Sequence, residues 1–185
     1  SSEDNSKKIL NIIKTFNELK INYHKDTELS ADQMMSYLSK KVETNYSVMI
    51  NDDDILIVSS IQNCINFLDK NLDFSAVNGR GYNIGLNQND CIPFGKITSI
   101  QKYPLPEYQN EYPIERISDF FKKTLNVNMS ITRSEINIRA FNNVEKLNKF
   151  DSAFVFGELM HAVTVLSHGK IANLDDCYLV RQKHS

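Results

Sequence analysis

Arg133 and Glu135 are the side chains whose types and spacing best suggest chemistry, and they stand two positions apart in the segment ITRSEINIRAF. Alternate residues of an extended strand share one face, so a strand here would direct both side chains to the same side. One interpretation is an ion pair on a solvated face. The other is that Arg133 projects into a cleft and binds an anion, because a planar guanidinium binds a carboxylate or phosphate through two parallel hydrogen bonds.

A cleft beside Arg133 would gain further side chains from the last strand of the chain. If that strand lies alongside the first, Asn173 and Tyr178 line the same cleft. The candidate ligand-binding residues predicted from the sequence are therefore Arg133, Glu135, Asn173 and Tyr178.

The histidines and cysteines do not have the spacing of a metal site. No two histidines would share a helix face at ligand spacing, and the chain has no Cys-x-x-Cys motif, so we predict neither a metal nor another cofactor. Three widely separated cysteines favour reduced thiols in a cytoplasmic protein over a disulfide framework. The residues concerned are His24, His161, His168, His184, Cys64, Cys91 and Cys177.

No pattern for covalent or acid–base catalysis stands out either. Cys91 or Cys177 would need tertiary folding to bring it to His161 before a nucleophile–base pair could form. No serine lies in a Gly-x-Ser-x-Gly elbow. Asp175 and Asp176 are adjacent, and neighbours on a strand point to opposite faces. We assign no catalytic residue, and an enzyme is the least favoured interpretation.

The composition is that of an ordinary globular protein, with 41% hydrophobic and 24% charged residues in a chain of 185. That length fits one domain with a sizeable core. The net charge of -2, with basic runs limited to Lys–Lys pairs, argues against a nucleic-acid-binding surface. No apolar run approaches the roughly 18 residues of a transmembrane helix. We predict a disordered tag or processed start at residues 1–6 and a single α+β domain over residues 7–185.

Two helices are predicted at the start of the chain. Apolar side chains in Lys7–Lys20 recur at helical spacing, which predicts an amphipathic helix that packs on the domain or on a second copy of the chain. A second helix begins after Ser30, since Ser30 and Gln33 have the spacing of a capping box. The apolar stripe of the first helix consists of Ile9, Ile12, Ile13, Phe16 and Leu19.

The middle of the chain reads mainly as β-structure. Tyr46–Val58 has the pattern of a hairpin that turns at Asn51–Asp54, and this acidic turn lacks the glycine and distant glutamate of a calcium-binding EF-hand. Ser60 is predicted to cap a third helix. The glycines of residues 79–85 indicate a turn leading to an edge strand, and residues 94–103 a further strand, followed by a surface connection.

The last third is predicted to alternate helix and strand. A helix opens at Pro113, which suits the first turn. The apolar pattern of Val127–Ala140 then changes face at residues 133–135, so a strand with a bulge is expected there, before a short helix near Val144.

The chain is predicted to close with a hairpin. Residues 162–166 and 170–180 are its two strands, joined by a turn at His168–Gly169. The fold class expected from all these elements is α+β, with a mostly antiparallel sheet flanked by helices and an N-terminal amphipathic helix.

The segments ISDFFKKTLNVNMSITRSEINIRAFNNVEKL and AVTVLSHGKIANLDDCYLV resemble the UTRA domain, the effector-binding half of GntR/HutC-type bacterial repressors, which has the chorismate-lyase fold. In that family a helix enters a strand of the ITRSE type, and a final hairpin turns at a Gly-Lys or Gly-Arg step. Tyr178 falls where the family tends to have a tyrosine. Ile171 and Asn173 stand where it usually has proline and glutamate.

Residues 7–60, with their strand–turn–strand YSVMINDDDILIVSS, are similar to the opening of a GAF-type sensor such as that of the CodY repressor. UTRA and GAF folds differ, but each implies antiparallel β-structure with a ligand cleft. The two resemblances imply a regulatory domain that senses a small anionic metabolite, without its own DNA-binding segment. The alternative is an interaction or scaffold protein that uses Lys7–Lys20 and Tyr103–Pro113 as contact surfaces.

Overall fold

The computed structural model describes residues 3–16, 18–26, 28–87, 95–147 and 153–182, and the chain divides into two compact units, residues 1–30 and residues 31–185. The helices are α1 (Glu3–Ile13), α2 (Ala31–Ser39), α3 (Val58–Lys70), α4 (Pro113–Lys122), α5 (Ser134–Leu147) and α6 (Ala153–His168). The strands are β1 (Tyr46–Ser47), β2 (Asp54–Leu56), β3 (Phe74–Asn87), β4 (Lys96–Tyr103), β5 (Ile131–Arg133) and β6 (Lys170–Gln182).

The first unit contains α1, whose bounds differ from the prediction. The helix begins at Glu3 rather than Lys7, and it ends at Ile13, well before Lys20. Tight turns close it, because the amides of Thr15 and Phe16 bond to carbonyls only three residues back. The predicted amphipathic character is confirmed: the apolar side chains lie on one face.

The second unit is built on a mixed sheet with strand order β1-β5-β3-β6-β2, and β4 also pairs with β3. β3 and β6 run parallel, whereas the other four pairings are antiparallel. The predicted fold class, α+β with a mostly antiparallel sheet flanked by helices, is confirmed. No helix among the described residues is both long enough and apolar enough to cross a membrane.

Helices cover both faces of this sheet. Neighbouring residues of a strand point to opposite faces, so Ala76 and Val77 of β3 enter two separate cores. Ala76 packs with residues of α4, α5 and α6, including Phe120 and Val165. Val77 packs with residues of α3, including Leu68, which is fully buried.

The predicted long strand over Val127–Ala140 is wrong, and its change of face has a different cause. β5 covers only three residues, and α5 begins at Ser134. Ile136 and Ala140 are four residues apart and share the core-facing side of that helix. The period of the apolar pattern therefore changes from two to 3.6 at this point, so no bulge is needed, and the predicted short helix near Val144 is the continuation of α5.

The predicted closing hairpin is also wrong. Residues 162–166 lie within α6, and β6 pairs with β3 in parallel instead of turning back on a neighbour. A short run that is entirely apolar fits a buried helix as well as a buried strand, which explains the error. Gly169 allows the backbone between α6 and β6 to lie close to the start of β3, because a Cβ at this position would lie 2.6 Å from the amide nitrogen of Ser75.

The predicted hairpin over Tyr46–Val58 does not form. β1 pairs with β5 and β2 pairs with β6, so the two segments lie at opposite ends of the strand order. Val58 opens α3, whose N-cap is Ile57 rather than Ser60. The Ser60 hydroxyl instead donates to the carbonyl of Cys177 and joins α3 to β6.

The glycines of residues 79–85 lie inside β3, at the centre of the sheet, and not in a turn. They allow close packing: a Cβ on Gly79 would lie 2.6 Å from the carbonyl oxygen of Asp176. The connection after β4 is partly buried, since Tyr108 is 7% exposed and exchanges backbone hydrogen bonds with Ile171. The starts of α2 after Ser30 and of α4 at Pro113 agree with the predictions, as does the strand β4.

Candidate functional site

Arg133 is the last residue of β5, directly before α5, and strand pairing and hydrogen bonds fix the backbone here. β5 pairs with β1 through Tyr46 opposite Arg133, and with β3 through Ala76 opposite Thr132. The amide of Ser134 donates to the carbonyl of Asn45 over 2.9 Å. The sheet and the start of α5 therefore fix the direction in which the Arg133 side chain leaves the backbone.

The guanidinium of Arg133 is engaged by backbone carbonyls. Its Nε donates to the carbonyl of Phe74 over 2.9 Å, and its Nη2 donates to those of Leu68 and Asn71 over 2.8 and 3.1 Å. Leu68 and Asn71 lie at the C-terminal end of α3, where a cation is favoured. Their carbonyls also accept the amides of Asn71 and Phe74, respectively. Arg133 thus ties α3 to β5, and three of its five N–H groups are used in doing so.

Glu135 does not share a strand face with Arg133, because it lies in the first turn of α5 and is exposed. The argument from strand alternation therefore does not apply to this pair. Glu135 and Arg139 are instead one helical turn apart on α5. This geometry brings Arg139, which the sequence did not single out, to the same surface.

Arg139 lines a recess of about 360 Å³ between α5, the end of α6 and the connection from α3 to β3. We call it the Arg139 recess. Its walls are partly apolar and partly charged. The lining residues are Leu72, Phe74, Arg133, Glu135, Ile136, Arg139 and His168.

His168 contacts Arg139 as a hydrogen-bond acceptor. Its Nδ1 lies 2.7 Å from the carbonyl oxygen of Thr164, which can only accept, so Nδ1 carries the proton. Its Nε2 lies 3.1 Å from Nη1 of Arg139, which can only donate, so Nε2 accepts. The imidazole therefore orients one edge of the guanidinium.

The charges around the Arg139 recess favour an anion. Arg133 and Arg139 contribute two positive charges and Glu135 one negative charge, and the lining contains no further Asp, Glu, Lys or Arg. Leu72 and Phe74 add an apolar wall. The recess therefore suits a small molecule with one anionic group and a short apolar part.

A second recess, of about 430 Å³, lies on the other side of Arg133. Its lining contains Arg133 with Glu43 and Glu135, so the carboxylates outnumber the cation. Backbone and side-chain groups of residues 42–46 form the opposite wall. This second recess is less suited to an anion than the Arg139 recess.

Asn173 and Tyr178 have contacts of their own inside the sheet. Asn173 donates to the side-chain oxygen of Asn78 over 2.7 Å and to the carbonyl of Gly79 over 3.1 Å. Tyr178 is fully buried, and its hydroxyl donates to the carbonyl of Met129 over 2.6 Å. Burial also raises the pKa of this phenol. Neither residue lines the Arg139 recess, so only two of the four predicted residues, Arg133 and Glu135, meet there.

The buried histidine, His161, belongs to a series of side chains that are linked by hydrogen bonds inside the fold. Its Nε2 is 2.8 Å from the side-chain oxygen of Asn137, whose amide donates to the hydroxyl of Ser47 over 2.9 Å. Burial lowers the pKa of His161 to about 3, so the ring is neutral at physiological pH. Its Nδ1 has no hydrogen-bond partner.

The two described cysteines, Cys64 and Cys177, differ in exposure. Burial raises the pKa of the Cys64 thiol to about 12, whereas Cys177 is exposed on β6. Cys91 and His184 lie outside the described residues. Within the described ranges no group of three or more His, Cys, Asp or Glu residues is arranged to hold a metal ion.

Comparison of the sequence with protein-family models and curated sequences does not assign the chain to a family. No model of a known protein family matches the chain, and no curated protein sequence matches it significantly. The similarity to UTRA and GAF domains remains an expectation from the sequence, and the candidate site rests on the geometry alone.

Proposed function

We propose that this protein is a cytoplasmic regulatory domain that senses a small anionic metabolite in the Arg139 recess. The observation that supports the proposal most is the placement of Arg139 and Arg133 in one recess, with His168 orienting the guanidinium of Arg139. Arg139 is exposed, so its remaining N–H groups are accessible to a ligand. A carboxylate or phosphate binds such a group through two parallel hydrogen bonds.

A thermal-shift screen with inorganic phosphate, phosphosugars, amino acids and organic acids tests the proposal. A ligand at 100 times its Kd adds about 2.7 kcal/mol of stability, which for a unit of this size raises Tm by about 5–10 °C. We expect Arg139→Gln to abolish the shift, because it removes the accessible guanidinium and its charge while a polar side chain remains at this exposed position.

Arg80→Gln is the matched control. Arg80 is another surface arginine, which pairs with Asp175 over 2.8 Å on the sheet and does not line the Arg139 recess. This variant should keep the full shift. A shift that survives in Arg139→Gln, or that disappears in Arg80→Gln, would refute the assignment of the ligand to this recess.

We propose further that the apolar face of α1 forms a homodimer, which would couple two sensing domains. Ile9 and Ile12 are 38% and 58% exposed although they are large and apolar. They stand three residues apart within α1, so they share one face of the helix, and Phe16, 51% exposed, follows just beyond its end. Such a stripe is the pattern by which two amphipathic helices pack on each other.

Static light scattering tests the dimer. Ile12→Glu should convert the protein to a monomer, because it puts a charge on the apolar face of α1. Asn11→Glu adds the same charge on the opposite side of the helix and should leave the mass unchanged. A wild-type protein that is monomeric at high micromolar concentration would refute the homodimer.

A further inference from the structure

β4 presents a long open edge of the sheet. It spans Lys96–Tyr103, and among the described residues its ladder partner is β3 alone. Alternate residues of a strand direct both backbone groups toward the same neighbour, so about half of the N–H and C=O groups of β4 face away from β3. Seven of its eight residues are exposed, with only Tyr103 partly buried. Such an edge can accept another strand.

The side chains of this edge are basic within an acidic chain. The paired segments, residues 81–87 and 95–103, contain Lys96 and Lys102 but no Asp or Glu, although the whole chain has a net charge of -2. Lys96 and Lys102 lie near the two ends of β4. If a strand from another molecule paired with this edge, a lysine of β4 would lie near each end of that strand.

One face of the β3–β4 pair is also apolar. Ile84 is opposite Ile100, and Leu86 is opposite Ile97, so these pairs lie on the same face of the sheet. Ile97 and Ile100 are 53% and 65% exposed. Alternate apolar side chains of an added strand would cover them.

We infer that the outer edge of β4 binds an extended segment of a partner protein, with apolar residues at its centre and carboxylates at its ends. Main-chain hydrogen bonds to the open edge would give affinity, and the two lysines would select the acidic segment. A second copy of β4 fits less well, because two such strands would bring together four lysines with no carboxylate between them. This binding is independent of the Arg139 recess.

Fluorescence anisotropy with designed peptides tests the inference. The probe is a short fluorescent peptide with a Val-Thr-Val-Thr-Val centre and glutamates at both ends, and the comparison peptide has lysines in their place. We expect the acidic peptide to bind, with an affinity that falls as salt is added, and the basic peptide not to bind.

Two N-methylated forms of the acidic peptide identify the mode of binding. Methyl groups on alternate residues block one edge of the peptide in the first form and the other edge in the second. Pairing with β4 uses one edge of the peptide, so only one of the two forms should lose binding. Equal binding, or equal loss of binding, by the two forms would overturn the inference.

The double variant Lys96→Glu with Lys102→Glu identifies the surface. It should weaken binding of the acidic peptide about tenfold and favour the basic one. Lys70→Glu with Lys146→Glu makes the same change of net charge at exposed sites on α3 and α5 and should bind normally. Failure of the wild-type protein to bind the acidic peptide, an unchanged affinity in the β4 variant, or self-association that the β4 variant abolishes would each overturn the inference.

Discussion

Arg133→Met should lower the free energy of unfolding by about 3 kcal/mol, because it leaves three backbone carbonyls without their charged donor. The carbonyls belong to Leu68, Asn71 and Phe74, and the first two lie at the C-terminal end of α3. Methionine preserves most of the apolar stem, so the loss reports the hydrogen bonds rather than a cavity. Urea denaturation of the wild type and the variant measures the difference.

Arg139→Met is the control for this measurement. Arg139 lies on the same side of the fold but is exposed, and its partner is the side chain of His168 rather than a set of carbonyls. Its replacement should change the stability by less than about 0.5 kcal/mol. Equal stabilities for the Arg133 variant and the wild type would mean that Arg133 does not tie α3 to the sheet.

Acidification should destabilise the protein through His161 before the carboxylates become involved. Burial holds the pKa of this ring at about 3, against 6.5 for the free side chain. Below pH 6.5 the unfolded state therefore binds a proton that the folded state does not. The stability is fully present above pH 6.5 and is lost as the pH falls, at about 1.4 kcal/mol per pH unit. From pH 7 to pH 5 the expected loss is about 2 kcal/mol.

His161→Gln isolates this contribution. Glutamine can still donate to the side-chain oxygen of Asn137, but it does not titrate. The variant should be less stable at pH 7 and should show a much flatter dependence on pH between 7 and 5. The readout is the slope, measured by urea denaturation at each pH, so the comparison does not depend on the absolute stability of the variant. Parallel slopes for the two proteins would contradict the buried neutral imidazole.

Sequence patterns predicted the elements that carry a local signal. Pro113 marks the first turn of α4, and Ser30 directly precedes α2. The α+β class followed from the alternation of such elements. Signals of this kind act within a few residues, so they do not depend on how distant segments meet.

Strand pairing could not be predicted in the same way. Tyr46–Ser47 and Asp54–Leu56 look like the two arms of a hairpin, but each pairs with a segment far along the chain. The central strand β3 contains three glycines that locally favour a turn. Close packing decides their conformation, against β6 at Gly79 and against β4 at Gly81 and Gly85. Tertiary contacts overrode the local preference in both cases.

The candidate site was predicted in part. Arg133 and Glu135 do line one recess. A strand was assumed from the sequence where α5 begins, so Arg139 was not identified as a site residue. A helical reading of residues 134–147 would have placed Glu135 and Arg139 one turn apart. Tyr178 was expected in the cleft if the last strand lay alongside, yet both faces of this sheet are covered, so it is buried.

The most direct test of anion binding in the Arg139 recess is an NMR titration that observes the side-chain Nε–H signals of the arginines. The ligand is the compound with the largest thermal shift, or inorganic phosphate if none exceeds it. We predict that the Arg139 signal shifts with saturable dependence on ligand concentration while the Arg80 signal stays in place. A shift at Arg80 and Arg139 alike, or at neither, would contradict a ligand site in this recess.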